Sequence, residues 1–193
     1  MRLHRRPGPG WSAAALGLAT ALALLPAGCR RGDTPGEGEE ESGPGDPVQL
    51  YFPGTDDRLH AEAATLPASA VGPAERLRAL AQLWAAGPSR EDLQHPLPQV
   101  EAIRVDLAGG GRLYVDLQPR EGALPPQVGS TEEETLLYSL VDTFALNVPE
   151  VRDVVLLWDG EQQPALGGHL DTSAPLTPRT DLLAAANDTA PDP

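Results

Sequence analysis

Cys29, the only cysteine of the chain, ends an apolar leader and limits the fold to the residues that follow it. A basic start precedes an apolar stretch over residues 11–25, and small residues come next. This order is that of a secretory signal peptide, which predicts that residues 1–28 are removed. Because there is no second cysteine, the sequence excludes an internal disulfide and a CxxC metal or redox site.

The segment LLPAGC, residues 24–29, resembles a bacterial lipoprotein signal, in which the cysteine becomes the lipidated first residue. Ala27 and Gly28 fit the small positions, whereas Pro26 stands where such signals usually carry Leu. The alternatives are an ordinary signal peptide and a retained anchor, although about 15 apolar residues are fewer than the roughly 20 that span a bilayer. We expect a diacylated Cys29, which gives a stable anchor, and an extracytoplasmic protein on the periplasmic face or the cell surface.

The charge of the mature chain narrows its partners. Without the three leader arginines, 11 basic side chains face 28 acidic ones, a formal net charge of −17. Nucleic acid is excluded as an expected partner, because phosphate neutralisation needs clustered positive charge. Adsorption to an anionic membrane surface is disfavoured as well, so membrane attachment depends on the lipid at Cys29.

Composition divides the chain into four parts. Residues 1–28 are the leader, and residues 29–46 form an acidic spacer without large apolar side chains, predicted to be disordered. Residues 47–183 form one folded domain, and residues 184–193 are a frayed tail.

The first half of the domain predicts two extended segments and a helix. Val48 to Phe52 alternates apolar and polar residues, as a strand does. An Ala-rich extended piece follows at residues 58–66. A helix is expected over residues 73–86, because Pro73 fits its first turn and Gly87-Pro88 stops it.

The second half predicts a hairpin, a helix and a strand. Residues 103–107 and 113–117 alternate and are joined by Gly109–Gly111, which predicts a hairpin with one buried face. Ser130 to Glu133 reads as a capping box at the start of a second helix. Val154 to Trp158 is continuously apolar, which favours a central strand buried on both faces.

The expected fold class is therefore α+β, a small mixed β-sheet with two helices packed on one face. In the second helix, the apolar stripe holds Leu137, Leu140, Val141 and Phe144, and Asn147 is placed to cap the far end.

The ordered segments resemble a GerMN domain, the module named from spore-germination and sporulation proteins. The resemblance lies in VQLYFP, LWAAGP, LPQVEAIRVDLAGGGRLYVDLQ, STEEETLLYSLVDTFALNVPEVRDVVLLWDG and the tail GGHLDTSAPL, in that order. This chain departs at Asp142, where an Asn is more usual, and in its Ala-rich second segment. The resemblance implies a fold similar to small ring-building modules. It also implies an extracytoplasmic, often lipid-anchored binding or assembly role without known catalytic residues. The single cysteine and three scattered histidines of the mature chain predict no metal site, and no cofactor is expected.

Three groups of residues are candidates for chemistry. Asp106 and Asp116 share the polar face of the hairpin, where they suit acid–base work or simple solvation. His169 and Asp171 form an H-x-D after two glycines, a metal pair or a local hydrogen-bonding group. Tyr114 is an exposed stacking group for a glycan in one interpretation, whereas Trp158 is expected in the core.

We therefore predict a non-enzymatic cell-envelope module that interacts with envelope proteins, with a peptidoglycan- or glycan-binding module as the alternative and a cell-wall hydrolase as a third hypothesis. The interaction surface would include Tyr114, Asp116, His169 and Asp171, and a homo-oligomer remains open.

Overall fold

The computed structural model describes residues 45–185. The elements are β1 (Asp46–Pro53), β2 (Leu59–Leu66), α1 (Pro73–Ala85), β3 (Val100–Leu107), β4 (Arg112–Pro119), α2 (Ser130–Asn147) and β5 (Asp153–Trp158). The predicted leader, Cys29, most of the spacer and most of the tail lie outside the described residues. The mixed α+β class and the predicted order of elements are confirmed.

The five strands are divided between two small sheets. β1 and β2 form an antiparallel pair, and β3, β4 and β5 form a mixed sheet with β4 in the middle. β4 runs antiparallel to β3 and parallel to β5.

Side chains of α2 explain why β1 does not join the second sheet. The Tyr51 N–H donates to the Thr143 hydroxyl at 3.0 Å, and the Ser139 hydroxyl donates to the Tyr51 carbonyl at 2.5 Å. The Asn147 amide accepts the Gln49 N–H and donates to the Gln49 carbonyl. These α2 residues lie four apart and thus on one face of the helix. Together they occupy the edge of β1 that a further strand would need.

β5 differs from its predicted position. It is buried along most of its length, as expected, but it is an outer strand of the ladder and not the central one. The chain after it folds back over its free edge: Trp158 bridges to Glu161, and Val154 exchanges two 2.8 Å hydrogen bonds with Leu176. Because this irregular segment covers β5, the strand is buried at the edge of the sheet. Its apolar composition is therefore like that of a central strand.

One core joins the helices and both sheets. α1 starts at Pro73 and ends before Gly87, whose φ of 82° favours glycine. The predicted α2 stripe is confirmed, since its side chains are fully buried: Leu137, Leu140, Val141 and Phe144. Neither helix within residues 45–185 has the length and apolar character needed to cross a membrane.

Candidate interaction surface

One face of the three-stranded sheet is apolar and buried, and the other is polar. On the buried side β4 presents Leu113, Val115 and Leu117, all inaccessible to solvent. On the other side Arg104 lies opposite Asp116, and Asp106 lies opposite Tyr114. Arg104 and Asp106 are exposed, and Tyr114 is 37% exposed. We call these four residues the open sheet face: Arg104, Asp106, Tyr114 and Asp116.

Asp116 has a structural use within this face. Its Oδ1 accepts the Gly160 N–H at 2.7 Å, and its Oδ2 accepts the Gln118 amide at 2.6 Å. It thereby holds the turn after β5, where Asp159 and Gly160 have positive φ. Since Asp106 lies opposite Tyr114, the two aspartates do not form a facing carboxylate pair.

Glu133 is the main residue that the sequence interpretation misplaced. The predicted capping box is wrong, because Gly129 is the N-cap of α2 and no side chain caps it. Glu133 is fully buried, and its carboxylate accepts the backbone N–H groups of Gly167 at 2.6 Å, His169 at 2.7 Å and Leu170 at 3.1 Å. Three charge-assisted hydrogen bonds outweigh the single hydrogen bond that the acid would accept in a capping box.

The glycine pair of GGHLD permits this close approach. A Cβ on Gly167 would lie 2.8 Å from the Glu133 Cδ, and Gly168 has a φ of 102°. The His169 Nδ1 lies 3.3 Å from the Glu133 Oε2, with half of its side chain exposed. In the sequence, the two glycines indicate that another part of the chain approaches this loop closely. An acid in the first turn of a helix, however, is more typical of a cap than of a loop contact.

His169 and Asp171 hold separate local contacts. The Asp171 Oδ1 accepts the Ser173 N–H at 2.9 Å and the Ser173 hydroxyl at 2.5 Å, and these hydrogen bonds lower the pKa of Asp171. Within residues 45–185 no three His, Cys, Asp or Glu side chains gather as a metal site would require. The H-x-D pattern reflects loop structure in this geometry.

Other carboxylates fasten loops in the same way. Glu62 on β2 accepts the N–H groups of Ser89 and Arg90. Asp142 on α2 is fully buried, and its Oδ1 accepts the Arg179 N–H at 2.9 Å. Burial first, and then the nearby Asp181, raise the pKa of Asp142 to about 6.

A polar groove of about 290 Å³ lies elsewhere, between the β1–β2 turn, residues 94–96 and the start of α2. Its histidine, His95, is held by the Ala85 carbonyl at 3.1 Å and by the Leu97 N–H at 3.2 Å. None of the predicted site residues lines this groove.

Several solved structures are similar to this chain at low sequence identity. The tandem GerMN domains of the sporulation protein GerM from Bacillus subtilis are 15% identical, with a TM-score of 0.51 over 76% of this chain and 51% of that one. This chain thus spans about half the length of the tandem protein. The first GerMN domain of GerM is 16% identical, with a TM-score of 0.47 over 72% and 97% of the two chains.

A candidate lipoprotein from Clostridium perfringens is 20% identical, with a TM-score of 0.46 over 73% of this chain and 94% of that one. A search of curated proteins found no match.

The family comparison covers more than half of the chain. The model of the Germane family, described as sporulation and spore germination, matches residues 49–164, from β1 to just beyond β5. The chain therefore belongs to the sporulation and spore germination family and carries its GerM-type domain.

Proposed function

We propose that this protein is a lipid-anchored, non-catalytic interaction module of the cell envelope. The open sheet face is the observation that carries the proposal. It presents a guanidinium, a carboxylate and a phenol ring side by side, and a polar surface with an exposed Tyr is typical of contact surfaces.

The use of the acidic side chains supports a non-catalytic role. Glu62, Asp116, Glu133, Asp142 and Asp171 each accept at least one backbone N–H and so hold loops in place. A general acid or base must instead reach a substrate proton. Membership of a sporulation and germination family agrees with this interpretation.

Photo-cross-linking in cells tests the interaction surface. A photoreactive phenylalanine at position 114 is expected to give a discrete adduct with an envelope protein. The same group at Val71, which is 85% exposed outside the open sheet face, serves as the control. Equal adducts at both positions, or none at position 114, would contradict the proposal.

The anchor is tested separately through Cys29. We expect Cys29→Ala to release the protein from the membrane fraction, because the lipidated thiol is then absent. Thr34→Ala, in the same part of the chain, should stay membrane-bound. A Cys29→Ala protein that remains in the membrane at its unprocessed mass would show that residues 11–25 themselves form the anchor.

A glycan-binding role is the second candidate, and exposed Tyr114 beside Asp106 is the observation that favours it, because aromatic rings with adjacent polar groups suit sugar faces. Co-sedimentation with purified sacculi that is lost in Tyr114→Ser would support it over a protein partner.

A further inference from the structure

β3 is an outer strand with an unoccupied edge. The Ala108 N–H donates to the Arg112 carbonyl at 2.8 Å, which fixes the alternation of hydrogen bonds between β3 and β4. The backbone groups of Ile103, Val105 and Leu107 consequently point away from β4. Within residues 45–185 no other strand pairs with them.

The side chains on this edge are also incompletely covered. Ile103, Val105 and Leu107 belong to the apolar face of the sheet, yet each is only half-buried. Beside them a groove of about 390 Å³ separates the start of β3 from α1, with Ala81 and Ala85 on its helix wall. β3 carries no proline, and its β-bulge lies between Val100 and Ala102, before the free residues 103–107, so neither feature protects that part of the edge from pairing.

We propose that β3 pairs antiparallel with β3 of a second copy of this chain, about a twofold axis through Val105. In this register the outward-pointing backbone groups of both strands meet. Ile103 lies opposite the partner's Leu107, and Val105 lies opposite the partner's Val105. On the polar face Arg104 lies opposite the partner's Asp106, and the symmetry repeats that ion pair.

The charges select this register over its neighbours. Sliding the strands by two residues in one direction brings Arg104 opposite the partner's Arg104. Sliding them in the other direction brings Asp106 opposite the partner's Asp106. Opposite charges across a strand pair are favourable, and like charges directly opposite are unfavourable. A slide of one residue would misalign the free backbone groups.

The pairing would also complete the apolar cover. The partner's Leu107 would lie beside Ile103, next to the groove walled by Ala81 and Ala85. Each copy would fill the groove of the other, since a twofold interface is self-complementary. The three-stranded sheets of the two copies would join into one sheet of six strands, in which neither β3 edge is free.

Charge reversal with cross-complementation tests this register. Sedimentation velocity of the full-length chain in detergent, at 0.15 M salt to screen the net negative charge, should show a monomer–dimer equilibrium. Arg104→Asp alone and Asp106→Arg alone should each weaken dimerisation by about tenfold or more, because both ion pairs become repulsive. A mixture of the two variants should form heterodimers, since Asp at 104 of one variant then faces Arg at 106 of the other. In the second pair the unchanged Asp106 faces the unchanged Arg104, so both pairs are attractive. Arg58→Asp, at an exposed site in the β1–β2 turn and thus outside the sheet of β3, should dimerise like the parent.

Two results would overturn the proposal: a parent chain that stays monomeric up to about 100 μM, or single variants that do not recover dimerisation when mixed. Heterodimer formation itself shows that both variants fold. The measurement contains no envelope component and does not depend on Cys29, so its outcome is separate from that of the proposed function.

Discussion

At the scale of single residues, Asp142 is a carboxylate whose ionisation opposes folding. Its Oδ1 accepts the Arg179 N–H, whereas its Oδ2 is buried without a hydrogen-bond partner in the described part of the chain. Burial and, to a smaller extent, the nearby Asp181 raise the pKa of Asp142 to about 6. The hydrogen bond from the Arg179 N–H and the charge of Arg179 lower this pKa but offset only part of the rise. The folded state therefore binds a proton that the unfolded state releases between pH 3.8 and about 6.

We predict that Asp142→Asn raises the melting temperature by a few degrees at pH 7.5. Protonated Asp142 stabilises the fold of the parent at low pH relative to the ionised form. That contribution to the unfolding free energy is lost as the pH rises through about 6, where Asp142 ionises in the folded state. The variant has no such loss, and its amide oxygen can still accept the Arg179 N–H.

Melting curves from pH 4 to pH 8 check this prediction. The difference between variant and parent should grow between pH 4 and 6 and then stay level. Glu121→Gln, which removes an exposed carboxylate outside β3, serves as the control. A difference that is constant with pH would mean that Asp142 does not titrate in this range.

Glu133 stabilises the loop at residues 167–170. We predict that Glu133→Ala leaves three backbone N–H groups without their acceptor and lowers the unfolding free energy by about 3 kcal/mol or more. Glu133→Gln keeps one carbonyl oxygen and should lose less.

Urea unfolding measures both variants, and hydrogen exchange locates the effect. Protection should fall first at Gly167, His169 and Leu170. Glu132→Ala, the exposed neighbour in the same helical turn, is the control. Equal losses for Glu132→Ala and Glu133→Ala would contradict the assigned role.

At the scale of elements, α2 takes the place of a second strand beside β1, which pairs with β2 on its other edge. Ser139, Thr143 and Asn147 supply the partners that a strand would supply, and Ser139 also accepts the Trp84 indole N–H at 2.9 Å. The helix therefore fixes the position of the β1–β2 sheet through hydrogen bonds as well as apolar packing.

We predict that Thr143→Val lowers the unfolding free energy by about 1–3 kcal/mol, because the Tyr51 N–H loses its acceptor at nearly unchanged side-chain shape. Thr135→Val is the matched control, since that buried hydroxyl bonds only to carbonyls of its own helix. Chemical denaturation of both variants gives the comparison. Equal effects would remove the special role of the β1 edge.

The elements show what sequence patterns can predict. Alternation along β3 and β4 and the spacing of Leu137, Leu140 and Phe144 reflect burial, and burial is regular within an element. The edge position of β5 depends on Leu176, 22 residues beyond Val154, and the contacts of Glu133 lie 34 to 37 residues further along. No local pattern contains that information, so a covered edge strand looks central and a loop-binding acid looks like a cap.

At the scale of the whole molecule, we predict that stability does not depend on a bound metal. Since no three His, Cys, Asp or Glu side chains gather as metal ligands within residues 45–185, we expect chelation to remove no stabilising ion from this part of the chain. The melting temperature should therefore be the same with and without EDTA. A drop restored by zinc or calcium, and absent in His169→Ala with Asp171→Ala, would overturn this.

The sequence predicts those parts of the fold that depend on residues close together in the chain, as in the hairpin turn at Gly109–Gly111. The division into two sheets was not, because it depends on Asn147 reaching Gln49 across 98 residues. Of the candidate site residues, Tyr114 is 37% exposed on the open sheet face, whereas Asp116 also accepts the Gly160 N–H and so holds the turn after β5.

The contact between Gly167 and Glu133 has an evolutionary consequence. Any side chain at position 167 would collide with the Glu133 carboxyl group. As long as position 133 is a glutamate in this place, position 167 must therefore be a glycine. Substitutions at the two positions should therefore be correlated among related proteins. A lineage that replaces the glutamate with a short side chain releases the glycine from constraint, and one that keeps the glutamate should keep the glycine.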